Sequence, residues 1–169
     1  MTTVRLLTRY KAWADALFWS TLAQLPAADL LAPQPILFGS LIRTLHHAYA
    51  MDRVWQAHLL GETHGYTTRN PLEHPPFAEL HACQLEINAW YLAYAESLDE
   101  QALAEEVRFE FIGGGGGALS RQEILLHVVN HGTYHRGHVA DMLYHHQLVP
   151  PTTDLPVFLA QQRAGAARD

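Results

Sequence analysis

The stretch Leu126-His127-Val128-Val129-Asn130-His131-Gly132-Thr133-Tyr134-His135-Arg136-Gly137-His138 carries four histidines where a core-facing helix ordinarily places apolar residues. Read as one helix from a Ser120 cap to about Leu143, the segment has an apolar stripe of Ile124, Val128, Val139 and Met142, with His131 and His135 in the missing steps. Both histidines therefore point inward. Four residues turn a helix through about 400°, so the two imidazoles lie about 40° apart on one face and can converge on a single ion. Paired histidines on helix-borne metal sites follow the same spacing logic.

Working outward, Ser120 with Glu123 three residues on forms a capping box that starts this last long helix, and Pro150-Pro151 stop it after about His146. A short helix over Asp154 to Ala160 would then lie across an end of the fold. Before the cap, Val107, Phe109 and Phe111 alternate with Arg108 and Glu110, which reads as a short extended arm. The glycine run Gly113 to Gly117 lacks the Gly-Lys-Ser/Thr and βαβ context of a phosphate loop and reads as a flexible turn.

Three further helical segments precede the arm. Thr3 to Gln24 places Leu7, Tyr10, Ala14, Leu17, Phe18 and Thr21 at helical spacing. Gly39 to Leu60, ended by Gly61, carries a stripe of Leu37, Leu41, Leu45, Ala48, Trp55 and Leu59. His47 sits at the margin of that stripe, whereas the adjacent His46 lies about 100° further round and away from it. Asp52 projects from within the stripe, and a carboxylate there needs a partner. After an aperiodic loop from Glu62 to Pro76, Leu80, Cys83, Ile87, Trp90, Tyr91, Tyr94 and Leu98 mark the third helix, with Cys83 as a core residue. Four amphipathic helices joined by loops imply an all-α fold, a helix bundle with a short extended arm before the last long helix.

The length of 169 residues fits a single domain spanning 1–169. No apolar run approaches a membrane span, and the N-terminus lacks the layout of a signal peptide, so a cytoplasmic protein with no membrane partner is the expectation. One cysteine leaves no intrachain disulfide. A net charge of −6 with only 11 scattered Lys and Arg gives no basic patch, which argues against a nucleic-acid partner.

Twelve histidines are the compositional oddity. A lone histidine on an apolar face is ordinarily a core residue with one hydrogen bond. Two inward histidines at i and i+4 with a third on another helix are different, because each neutral ring brings a donor and an acceptor that the core must satisfy. One divalent ion satisfies all three, and three histidines plus water leave a position open to substrate. His127 and His138 compete for ligand roles from the same side of the helix. They lie further from the apolar centre and fit the pocket rim better.

The stretch from Asn130 to His138 resembles the Asn-His-x-Thr-His-His-Arg-Gly-Gln signature of the DinB family. Likewise His47-Ala48-Tyr49-Ala50-Met51-Asp52-Arg53-Val54-Trp55 resembles that family's His-x4-Asp-Arg-x-Trp signature, and the tail from Val149-Pro150-Pro151 to Asp154-Leu155 also fits. The resemblance covers about Leu37 to Leu159. It implies a four-helix bundle in up-down-down-up order, often a homodimer, with one divalent ion on His47, His131 and His135. The chain departs from the pattern at Tyr134, where the family commonly has His, and at His138, where it commonly has Gln. Neither is a ligand position.

Similar bundles include transferases and isomerases that use low-molecular-weight thiols such as bacillithiol or mycothiol. The resemblance therefore implies a metal-dependent enzyme, a thiol S-transferase or isomerase, acting on a small-molecule substrate. The alternatives are a non-catalytic metal-binding bundle, closed by a fourth ligand such as His127 or His138, and a metal-dependent hydrolase, for which no general base stands out. Nitrogen ligands suit zinc or nickel first, and iron is also compatible. Arg136 reads as a structural ion pair or a clamp for a substrate carboxylate. Asp52 reads as the partner of Arg136 or as the acceptor that orients a ligand histidine.

Overall fold

The computed structural model of the protein describes residues 2–166. In chain order it contains α1 (Thr3–Leu22), α2 (Ala27–Leu31), α3 (Leu41–Leu60), α4 (Phe77–Ser97), α5 (Glu100–Ala104), β1 (Glu106–Glu110), β2 (Gly116–Ser120), α6 (Arg121–His145) and α7 (Leu155–Ala166). The four long helices form the bundle, and their ends are set by local chemistry. Ser40 caps α3 by accepting from the Arg43 N–H at 3.4 Å, and Gly61 ends it in the left-handed conformation at φ 70°. The expected capping box is present on α6: Ser120 Oγ accepts from the Glu123 N–H at 3.2 Å, while the Glu123 carboxylate accepts from the Ser120 N–H at 2.7 Å.

Helix α1 packs against α4 and α6, and α3 packs against the same two helices. Arg5, at the start of α1, donates to the carbonyls of Ala95 and Leu98 at the end of α4, so these two helices run antiparallel. Arg121, at the start of α6, donates to the Leu59 carbonyl at the end of α3, so this pair is antiparallel as well. Apolar clusters fill both ends of the bundle. One gathers Trp55, Leu59, Ile87, Tyr91, Ile124 and Leu125; the other gathers Phe18, Leu22, Leu41, Leu80, Met142 and Leu143. Each such side chain taken fully out of water stabilises the fold by about 1.5–3 kcal/mol. Between the two clusters the interior is polar, and the histidines lie at that level.

Several elements differ from the sequence expectation. The extended arm is half of a hairpin, with β1 antiparallel to β2 and Phe109 paired with Gly117. Its turn uses the glycine run at positive φ: Gly113, Gly114 and Gly115 lie at 100°, 103° and 78°, a region that residues with a Cβ avoid. Phe109 anchors the hairpin against Trp55, ring centroids 5.1 Å apart. Leu37 is no part of the α3 stripe: it precedes the cap and is 83% exposed. His46, expected to face away, is buried beside His47, because the loop after α3 folds back and brings His74 against it. Cys83 is half-buried rather than a core residue. The last helix is longer than expected and docks on α1, with Phe158 against Tyr10 and Trp13. Among the described residues, no helix is long and apolar enough to cross a membrane.

Candidate metal centre

Two helices position the centre. α6 presents His131 and His135 one turn apart, and α3 presents His47 opposite them. Their rings stand with centroids 4.3 Å (His131–His135), 4.7 Å (His47–His135) and 5.3 Å (His47–His131) apart. One nitrogen from each lies within 4.8 Å of the other two, a group that could hold a metal ion. The Nε2 atoms of His131 and His135 approach to 3.0 Å. Two nitrogens bound tetrahedrally at about 2.0–2.1 Å lie about 3.3 Å apart, so small ring adjustments suffice. His47 Nδ1 donates to the Arg69 carbonyl at 2.8 Å, which leaves its Nε2 lone pair for the site. Phe38 stacks on His47 at 4.5 Å and covers one side.

Two Nε2 atoms of neutral rings facing each other with a third imidazole beside them is a donor set that fits an ion. His135 turns its Nε2 to the group, while its Nδ1, like that of His138, is buried without a hydrogen-bond partner among the described residues. Burial and the neighbouring imidazoles hold His131 and His135 neutral, each lowered to about 3, and burial also lowers His47. Neutral imidazole is the ligand form. For the metal-free protein the sign follows. Between the ordinary value of 6.5 and about 3 the unfolded chain binds protons that the folded chain refuses. The contribution of these two rings is therefore full above about pH 6.5 and is lost as pH drops toward 3. Urea unfolding of chelator-treated protein between pH 7.5 and 4.5 checks this, and a flat profile would contradict it.

His127 and His138 lie outside the three-nitrogen group, at its two ends. His127 stacks on His131 with centroids 5.7 Å apart and leans on Trp55 at 4.8 Å. His138 stands 5.3 Å from His135 and 4.5 Å from the exposed Tyr134. Asp52 and Arg136 do not pair with each other. Arg136 Nη1 donates to Asp15 Oδ1 at 2.8 Å, while Asp52 Oδ2 accepts from Lys11 Nζ at 2.8 Å and Gln84 Nε2 at 3.0 Å. Asp52 makes no hydrogen bond to a histidine ring among the described residues, so it does not directly orient a ligand.

Lys11 and Asp15, which the sequence does not single out, complete this network, and both are buried. Burial works against the Asp15 charge, but Lys11 and Arg136 together hold its carboxyl below the usual range. Among the described residues Asp52 has Lys11 as its one ionic partner, and burial leaves it raised. A cavity of about 30 Å³, roomy enough for a water, lies between the network and His135.

The model of the DinB family matches residues 1–167. The chain belongs to the DinB family. A curated relative, Protein DinB of Bacillus subtilis (strain 168), is 25% identical over 159 residues, covering 90% of this chain and 91% of the relative. The crystal structure of a DinB-like protein from Bacillus cereus ATCC 10987 is similar in fold, with a TM-score of 0.64 at 17% identity over 85% of this chain and 91% of that one. The two histidine motifs of this DinB-family chain are the segments that the bundle brings together, His47 from one and His131 with His135 from the other.

Proposed function

We propose that the protein is a metal-dependent enzyme whose divalent ion is held by His47, His131 and His135, and that it transfers or isomerises through a low-molecular-weight thiol. The observation that carries this reading is the convergence of three imidazole nitrogens with no fourth protein ligand in the group among the described residues. Such a donor set leaves a coordination position open, which favours chemistry over a closed structural site. A divalent ion there, zinc or nickel before iron, supplies Lewis acidity that lowers a thiol pKa and so provides thiolate at neutral pH.

The chain's own residues do the rest. The Arg69 carbonyl fixes the His47 tautomer, and the buried surroundings of His131 and His135 keep their lone pairs unprotonated. Phe38 covers one side, and the exposed Tyr134 beside the half-buried His138 forms the edge by which a small molecule enters. A cytoplasmic setting, a homodimer, and the absence of nucleic-acid and membrane partners belong to the same reading. The acidic balance and the lack of a membrane-crossing helix among the described residues support the last two.

The test is a screen of thiols against small electrophiles with zinc- and nickel-loaded protein. Turnover that needs both metal and thiol and disappears with chelator supports the reading. Stoichiometric metal binding with no thiol-dependent turnover would leave a non-catalytic metal-binding bundle.

A further inference from the structure

We propose that Lys11 is the positioning residue of the metal centre: its buried ammonium, reached past the missing side chain of Gly132, fixes α6 against α3 and so sets His131 and His135 against His47. The inference rests on the metal reading above.

A single ammonium joins the helices. Lys11 Nζ, on α1, donates to Asp15 at 2.9 Å, to Asp52 of α3 at 2.8 Å and to Asn88 of α4 at 2.8 Å. That uses all its donors. Asp15 in turn receives Arg136 of α6 at 2.8 Å, so α6 is held through one intermediate carboxylate. The attachments stand next to the ligands in the chain. Arg136 adjoins His135, Gly132 adjoins His131, and Asp52 follows His47 by little more than one turn.

Gly132 shows why the fit is close. A Cβ on residue 132 would stand 3.1 Å from Lys11 Cε and 3.5 Å from an Arg136 guanidinium nitrogen. The lysine stem thus stands against α6 where a side chain on residue 132, next in the chain to His131, would lie. Its Nζ is held by three partners, so the stem has little freedom to yield. Neither His131 nor His135 has a carboxylate or carbonyl partner of its own among the described residues, so their placement follows the helix that carries them. Lys11 and Arg136 are matched by Asp15 and Asp52, so this tie adds no formal charge beside a bound cation.

The experiment measures zinc affinity by competition with a chelating dye for wild type, Gly132→Ala and Lys11→Met. Val4→Ala, a cavity at the far apolar end of the bundle, serves as a control of comparable destabilisation. Positioning predicts a fall of at least about tenfold in zinc affinity in both test variants, the scale of lost support around metal ligands. It also predicts a changed visible spectrum of the cobalt-loaded protein, whereas Val4→Ala loses thermal stability and keeps wild-type affinity and spectrum. If Lys11→Met does not fold, Gly132→Ala decides, because it removes no charge and alanine favours the helix. Wild-type affinity in either folded test variant overturns the positioning role and leaves the metal reading standing. A wild type that takes up no zinc overturns the metal reading and this inference with it.

Discussion

Replacing His131 with alanine abolishes the thermal stabilisation that zinc gives the wild type. His131 supplies one of the three converging nitrogens, its Nε2 3.0 Å from that of His135 and its ring centroid 5.3 Å from that of His47. Without it two nitrogens from different helices remain, and affinity falls by more than the roughly 10–100-fold that losing an outer partner costs. Wild type at zinc one hundredfold above its Kd gains about 2.7 kcal/mol, which for a domain of this length raises Tm by roughly 5–10 °C. The variant gains almost none of this. Its metal-free form stays folded, because His131 is only partly buried and lies between the apolar clusters rather than within them. Scanning calorimetry of both proteins with and without zinc reads the difference directly. An equal zinc-induced shift in the variant would exclude His131 as a ligand.

Asp15→Ala lowers the stability of the metal-free protein by about 3–5 kcal/mol, the cost of breaking a buried ion pair by removing one partner. Asp15 accepts from Lys11, Asn88 and Arg136 at 2.8–3.1 Å and is 6% exposed, so among the described residues its removal leaves Arg136 without a carboxylate and Lys11 with one. The expected fall in Tm is roughly 6–20 °C. The same pairing has an acid signature. The Asp15 carboxyl is held below the ordinary 3.8, so its contribution is present above that value and is lost as pH falls through the lower, folded value. A change below about 1 kcal/mol on urea unfolding would mean that the network behaves as exposed pairs do.

Much of this is legible in the sequence, for physical reasons that also set the limit. The long helices announce themselves because apolar residues repeating at helical spacing over some twenty positions match the period of a helix and not that of a strand. His131 and His135 stand out because they interrupt such a stripe, and Ser120 with Glu123 marks the start of α6 by a two-sided hydrogen bond that few other pairs make. α2 and α5, at five residues each, are too short to show a period. β2 is equally hidden, since Gly116 and Gly117 carry no alternation and the strand exists only as the partner of β1. Helical angle alone misplaces His46, because a loop, not a helix, covers it. Lys11 and Asp15 escape notice for a subtler reason. A Lys–Asp pair at i and i+4 ordinarily marks a solvated face, and here it is buried only because Asp52, Asn88 and Arg136 arrive from three other helices. One signal for them is present in Asp52, a charge on an inward face of its helix, since a buried charge implies a partner elsewhere in the chain.

Whether His47, His131 and His135 hold a metal ion is read by elemental analysis of protein purified without a metal column. The expected result is close to one divalent ion per chain, removable by chelator and restored by added zinc or nickel. Folded, metal-free protein that takes up neither added metal would contradict it, and the three histidines would then be an unusual way of filling the middle of a helical bundle.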